Sequence, residues 1–407
     1  MTVASLTDSR LRVIPVDSAP ALADLRAEWE NLDRGGVFCS WEWLDSWWQH
    51  YRQPHMQLFT LALRDDAGEL VGLAPWYLSH TPGQGRVVRF LGSGDVCSDY
   101  LTILARSDAE QQVADALADW LCDQADHEWD LVELTGLTAG SKALDSFRER
   151  LEIRGYLVHE QPDVNCWRLT LPKSWDEYLS RLSKSRRAHT RALARRNFDT
   201  GRVTVERVST AAELERGFDL LIDLHQKRRE SLSQAGCFAS GQFTSFQREV
   251  AQRMLASGRL RMLWIELEGR PAAIEYGFAA GEGVFYYQGG FDPAAADQCP
   301  GTLMCMASLK LAIEEGHAWF DFLRGDEPYK TSWRAEPTPL RQMRVVARRP
   351  SARVRHAAWR TGETIKRWAK QGLNMAEVWK SEALRAAGAR KIAAANETSS
   401  CSLKNND

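Results

Sequence analysis

Apolar positions along the chain fall into two periods, short runs alternating every second residue and longer runs recurring every three to four, and their order predicts an α/β (α+β) protein. In the first half the pattern predicts a strand over Leu11 to Val16 and a helix over Ala19 to Leu32. Strands over Leu58 to Leu63 and Leu70 to Leu78 then flank the turn composition Asp65-Asp66-Ala67-Gly68 as an antiparallel hairpin. Val87 to Leu91 reads as strand, Ala109 to Ala125 as helix and Leu131 to Thr135 as strand. A helix over Lys142 to Arg154 is closed by Gly155, a strand covers Cys166 to Leu171, and Pro172 ends the unit.

The second half repeats this logic. A basic helix is predicted over Ser174 to Asn197, a strand over Val203 to Val208, and helices over Ala211 to Ser231 and Phe243 to Ala256, the last stopped near Gly258. Three strands in meander follow, Arg261 to Glu268, Ala272 to Ala279 and Val284 to Gly290, joined by turns at Glu268-Gly269-Arg270 and Ala280-Gly281-Glu282-Gly283. A helix over Thr302 to Glu315 and a strand over Trp319 to Leu323 complete the set. The recurrence suggests two copies of one unit, with domains at 1–172 and 173–347 and a basic, Ala-rich helical appendage and tail at 348–407.

Composition narrows the picture. A chain of 407 residues exceeds what one core comfortably holds, which agrees with two domains. The net charge of -2 gives no whole-molecule attraction to nucleic acid or anionic membrane, so a charged partner must be met by a local patch. The eight cysteines are scattered without the close pairs of metal sites or disulfide scaffolds, and the nine histidines show no metal spacing, so no metal is expected. With no apolar leader and no run of ~18 apolar residues, the expected location is the cytoplasm.

Candidate chemistry concentrates between Gly289 and Trp333. The run Gly289-Gly290-Phe291-Asp292-Pro293 ends a strand, and Gln298-Cys299-Pro300-Gly301-Thr302 opens a helix, where free backbone N–H groups and the positive dipole end suit a pyrophosphate; Pro and Thr there are equally plain helix-start signals. Asp321 sits among large apolar residues, followed by Arg324-Gly325-Asp326-Glu327. A buried carboxylate is either paired, with Arg324 or another cation, or placed for chemistry. Tyr329, Lys330 and Trp333 offer a phenol, a point charge and a flat apolar surface within about one helical turn. Glu275 is a lone acid in an apolar strand, sharing a face with the small residues Ala273, Gly277 and Ala279. His225 and Arg229, one turn apart, can contact an acceptor or simply form a surface helix face.

The blocks Gly289 to Pro293, Pro300-Gly301-Thr302-Leu303 and Asp321 to Lys330 resemble the GNAT acyltransferases associated with bacterial cellulose and exopolysaccharide synthesis. The first half resembles the same proteins at Phe38-Cys39-Ser40-Trp41-Glu42-Trp43-Leu44 with Trp47-Trp48, at Leu91-Gly92-Ser93 and at Asp99-Tyr100-Leu101. These proteins are also similar to Fem-type peptidyltransferases, which carry two GNAT-like domains in one chain. The resemblance implies tandem GNAT-like domains, each a mixed, mostly antiparallel sheet flanked by helices, the first a degenerate partner that walls the cleft. It implies that Gly289 and Gly290 line two splayed strands holding pantetheine, that Gln298, Gly301 and Thr302 meet the phosphates, and that Lys330 supplies charge where Asp297 to Gly301 lacks the family's basic, glycine-rich loop.

Acyl transfer from acyl-CoA, with acetyl-CoA the first candidate, to an amine or hydroxyl then needs alignment, a base and an acid, and no bound cofactor or metal. Tyr329 is expected to protonate the thiolate, Asp321 or Glu275 to act as base, and His225, Arg229, Arg324 and Trp333 to meet the acceptor, a sugar, glycan or cell-envelope precursor. The basic stretch from Arg181 to Arg202 is expected to be a solvated face, or a site for an anionic donor, membrane or RNA. The segment Arg353 to Lys370 is expected to lie on an anionic membrane, consistent with peripheral association with the inner membrane or a polysaccharide synthase. The cluster Trp41, Trp43, Trp47 and Trp48 is expected as core rather than as a sugar-stacking platform. Two other readings stay open: an aminoacyl-tRNA-dependent ligase on the same scaffold, and a non-catalytic accessory of a polysaccharide synthase.

Overall fold

The computed structural model describes residues 11–32 and 36–362. In the first half, strand β1 (Arg12–Val16) leads to helices α1 (Ala19–Asp24), α2 (Arg26–Leu32) and α3 (Trp41–Tyr51). Strands β2 (Met56–Leu58), β3 (Thr60–Arg64), β4 (Leu70–Ala74), β5 (Trp76–Thr81), β6 (Gly85–Phe90) and β7 (Leu104–Ala105) follow, then α4 (Glu110–Asp123), β8 (Leu131–Thr138), α5 (Lys142–Ile153) and β9 (Leu157–Thr170). The second half runs α6 (Trp175–Arg181), α7 (Lys184–Asn197), β10 (Val203–Arg207), α8 (Ala211–Glu230) and α9 (Gly241–Ala256). It continues through β11 (Leu260–Leu267), β12 (Arg270–Ala280), β13 (Gly283–Phe291), α10 (Pro300–Glu314), β14 (Trp319–Arg324), α11 (Pro328–Ser332) and β15 (Glu336–Val346).

An eleven-stranded sheet of order β10-β11-β12-β13-β14-β9-β15-β8-β6-β5-β2 crosses both halves, and a four-stranded sheet β1-β3-β4-β7 packs in the first. Residues up to Ala347 form one compact unit; Arg348 begins a second, whose described part is a helix over 350–362 with His356 stacked on Trp359. No helix among the described residues is long and apolar enough to cross a membrane. The segment expected at a membrane surface, Arg353 to Lys370, is described only to residue 362, and the rest of it lies outside the described residues.

Local sequence explains most boundaries and the main departures. The single basic helix expected over Ser174 to Asn197 is two helices, because Leu182 takes an extended backbone and Ser183 caps a new helix by accepting from the Arg186 N–H, as Ser174 does for the first from Glu177. The long α8 starts in a reciprocal capping box between Thr210 and Glu213. β15 escapes the hydrophobic pattern altogether: it carries Pro337, Pro339, Arg341 and Arg344, yet it is inserted between β8 and β9, where Arg344 is buried and pairs with Glu133. β9 is more than twice its expected length because its polar first part is held from one side by β15.

Trp41, Trp43, Trp47 and Trp48 are buried, as expected for core. Trp43 packs edge-on against Phe246, Phe278 and Tyr287 of the second half, and its indole N–H reaches Ser98. Behind the second-half sheet, α10 presents Leu303, Met306, Leu309 and Ile313 to a core shared with Tyr178, Leu193, Leu263 and Phe320. None of the seven described cysteines is in a disulfide.

Candidate active site

The site begins where two parallel strands part. β13 and β14 pair over Gly283↔Trp319, Val284↔Phe320 and Phe285↔Asp321. Beyond this point Leu323 adopts a left-handed φ of 54° and the pairing of β14 with β9 shifts, so β14 turns away from β13 and a gap opens beside Tyr286. The chain leaving β13 passes through a short 3-10 helix (Pro293–Gln298) into α10, whose first residue follows Cys299 in a left-handed conformation (φ 57°). No side chain caps α10 and its first turn carries no acid; Pro300 has no N–H, and Thr302 and Leu303 both donate to the Cys299 carbonyl, so the Gly301 N–H and the helix dipole are what this start offers an anion. Gly301 is exposed there, Thr302 half-buried, and a Cβ on Gly301 would only touch the Phe291 ring at 3.5 Å. Arg228 lies over the other partner of that contact, 4.6 Å from the Phe291 ring centre, which brings a cation beside the helix start. Gln298 accepts from Arg202 at 2.7 Å.

On the α10 side of the gap, Glu275 is 2% exposed and faces Gly289 across the β12/β13 register. Ser308 donates to it at 2.7 Å, and Arg261 stands 3.9 Å away, itself held by Glu315 and the Ser308 carbonyl. Burial outweighs these partners and pushes the Glu275 carboxyl up to about 7. Tyr286 and Tyr329 stand within electrostatic reach of Glu275, and Phe322 contacts both tyrosine rings edge-on. The Tyr329 ring is 41% exposed while burial of its hydroxyl raises that group above the usual phenol range.

Several expected roles are corrected by this geometry. Asp321 is fully buried and already accepts from Tyr100 at 2.6 Å, Arg168 at 2.9 Å and the Leu323 N–H at 2.8 Å, so it anchors the turn of β14 rather than standing open as a base. Its cation is Arg168, not Arg324; Arg324 pairs with Asp99 at 2.8 Å. Burial raises the Asp321 carboxyl, against the opposing pull of Tyr100 and Arg168. Lys330 does not offer its charge to a ligand. It is buried, and its ammonium donates to the carbonyls of Leu323, Arg324 and Gly325 and pairs with Glu327, closing the loop after β14. Trp333 is a core residue, 1% exposed under Arg186.

Gly290 does not line the gap: a Cβ there would sit 2.3 Å from the His225 N, so the glycine lets α8 pack on β13. Gly289 leaves room for the Tyr286 hydroxyl, 2.3 Å from where its Cβ would be. His225 is buried rather than on a surface face, its ring pressed edge-on against Phe238 and held by Gln226, Arg229 and Cys237. Burial lowers its basicity. Arg168, Tyr286, Ser308 and Arg228 border the candidate site but were not singled out from sequence, and Tyr100 was noted there only as part of the block Asp99-Tyr100-Leu101, without a role at the site. Each comes from a separate element, and the spacing of polar residues along one strand or helix does not reveal such meetings.

The profile of the acetyltransferase (GNAT) domain matches residues 184–331, the stretch that holds the parting strands and α10, so the second half is similar to a GNAT-type domain. No curated protein matches the chain. Among solved structures, FemX superposes with a TM-score of 0.58 at 12% identity over 81% of this chain and 96% of that one. A conserved protein of unknown function from Bacteroides thetaiotaomicron gives 0.52 at 14%, covering 82% and 100%. The L-PGS of Bacillus licheniformis gives 0.50 at 13%, covering 85% and 98%. At such identities the likeness is one of fold, and it extends across both halves.

Proposed function

We propose that this protein is an acyltransferase that moves an acyl group, acetyl first among candidates, from acyl-CoA to an amine or hydroxyl of a sugar, glycan or cell-envelope precursor. The observation that carries this reading is the pairing of β13 and β14 over three residue pairs followed by their divergence beside the uncapped, acid-free start of α10. A thioester arm laid between the strands extends the sheet's hydrogen bonding, and its pyrophosphate meets the helix dipole with Arg228 beside it. The first half, residues 1–172, walls the cleft through Tyr100 and Asp99, which lock β14 by way of Asp321 and Arg324.

Transfer is direct: the acceptor nitrogen or oxygen forms a bond to the thioester carbonyl carbon, the C–S bond breaks, the nucleophile's proton passes to Glu275 and the thiolate takes a proton from Tyr329. A carboxyl near pH 7 has a basicity matched to that task. The resemblance to enzymes of exopolysaccharide and cellulose synthesis supports a glycan acceptor. Release of free thiol from acetyl-CoA in the presence of amino sugars tests the reading; no release with any amine or hydroxyl acceptor, and no binding of acetyl-CoA, would refute it.

A second reading, aminoacyl-tRNA as donor, draws on α7, whose stretch Lys184 to Asn197 holds six Lys and Arg residues and no acid. Loss of transfer after ribonuclease treatment would select it.

A further inference from the structure

A chain of charge joins the buried Glu275 to the protein surface. Arg261, on β11, is buried, and two carboxylates flank its guanidinium. Its Nη1 donates to Glu315 at 2.5 Å and its Nη2 to the Ser308 carbonyl at 2.8 Å. Its Nε lies 3.9 Å from Glu275 Oε1 and has no hydrogen-bond partner. Ser308 Oγ, 3.5 Å from that Nη2, donates to the same Oε1 at 2.7 Å.

Glu315 caps the C-terminal end of α10, where the helix dipole disfavours a negative charge. Cations hold it there: besides Arg261, Arg207 from β10 donates to its Oε1 at 2.5 Å, and the His317 ring stands 3.5 Å from its Oε2. Burial pushes His317 toward its neutral form, with Glu315 opposing. The Glu315 side chain is 22% exposed, whereas Arg261 and Glu275 are buried.

The groups that act on Glu275 come from every element packed against it: Arg261 from β11, Ser308 and the Cys305 thiol from α10, Tyr286 from β13 and Tyr329 from α11. Burial keeps the thiol and both phenols neutral, so among the described residues Arg261 is the charge Glu275 meets. A guanidinium bonded to a carboxylate on one side has part of its field cancelled on the other, the more so where water is excluded. That compensation accounts for a carboxyl that stays at about 7 with an arginine 3.9 Å away.

We propose that Glu315 is a positioning residue for Glu275: by holding the far side of Arg261 it keeps the guanidinium off Glu275 and sustains the basicity of that carboxyl. Without the Glu315 charge, Arg261 acts on Glu275 uncompensated, and its unpartnered Nε is already on that side. A partly exposed residue at the far end of α10 thereby governs the acid side of the rate profile; this consequence rests on Glu275 being the base of the proposed reaction, and the positioning itself does not.

Carbon NMR of the full chain, with its glutamate carboxyl carbons isotopically labelled, reads the carboxyl without any donor; the Glu275 resonance is the one missing from Glu275→Gln. In the wild type it should titrate at about pH 7. Glu315→Gln keeps an acceptor for Arg261 and removes the charge, so the midpoint should fall by about half a pH unit or more. Ser308→Ala removes a donor to the carboxylate and suits a helix, so the midpoint should rise by about as much. Opposite shifts from two substitutions along α10 are not what lost packing produces. A Glu315→Gln midpoint that is unchanged or raised would overturn the proposal. A midpoint that falls while the acid limb of acetyl transfer stays at the wild-type pH upholds the positioning and removes Glu275 as the base.

Discussion

The two halves place a parallel strand pair at corresponding points and treat the opening beyond it in opposite ways. In the first half the parted ends of β6 and β8 are crossed by charge, Arg89 to Glu133 to Arg344, and the next helix, α4, begins at Asp108-Ala109-Glu110. In the second half the parted ends of β13 and β14 carry Tyr286 and Phe322, and α10 begins at Cys299-Pro300-Gly301 with no acid in its first turn. An acid in the first turn already interacts with the helix dipole and repels an arriving anion, whereas a bare start retains that potential for a ligand. One backbone arrangement is thus closed by ion pairs in one half and left open beside a bare helix start in the other. On the proposed reading, local charge at the strand ends and helix start decides which opening takes the acyl donor.

The largest effect expected from breaking this contrast is at Glu275. Glu275→Gln keeps the Ser308 contact but removes the base, so kcat should fall about 100-fold or more in a steady-state thiol-release assay. A fall of less than about threefold would remove Glu275 from the mechanism. The same carboxyl fixes the pH dependence. Its folded value, about 7, lies above the ordinary carboxylate value, so the fold favours the neutral form, and stability is lost as pH rises toward and through 7 while the active base form accumulates. The acid-side limb of kcat should therefore climb through about pH 7 in the wild type and vanish in Glu275→Gln. The variant's melting temperature should exceed that of the wild type at pH 8.

Lys330→Ala comes next and acts on stability. Removing a buried ammonium leaves three carbonyls and Glu327 without their partner, and unfolding in urea should show a loss of about 3 kcal/mol. Acetyl-CoA affinity of the folded variant should change less than threefold; a loss above tenfold would restore Lys330 to ligand binding. Tyr329→Phe should lower kcat about tenfold with unchanged affinity for acetyl-CoA, read from the same assay and a titration.

Much of this fold is legible in the sequence. The meander of β11, β12 and β13 and the return through α10 to β14 follow from apolar period and turn composition at Glu268-Gly269 and Gly281 to Gly283. β15 is not legible, because a strand flanked on both sides by other strands hides its arginines and prolines behind ion pairs and neighbouring chains. At the candidate site, the sequence shows which residues are polar but not which partners they meet. Asp321 and Lys330 look exposed to function in one dimension, yet their partners come from β9, from the segment around Tyr100 and from loop carbonyls. Burial of Glu275 likewise depends on α10 covering β12, a contact that no spacing within the strand encodes.

On the proposed reading the opening beside α10, and not its first-half counterpart, holds the acyl donor. Calorimetric titration with acetyl-CoA of the wild type, Gly301→Glu and Glu110→Gln tests it most directly. Gly301 is exposed and a side chain there has room, so the Glu variant changes charge at the helix start rather than packing. One saturable site in the wild type, at least tenfold weaker in Gly301→Glu and unchanged in Glu110→Gln, is the predicted result; no binding to the wild type, or equal affinity in Gly301→Glu, would contradict it.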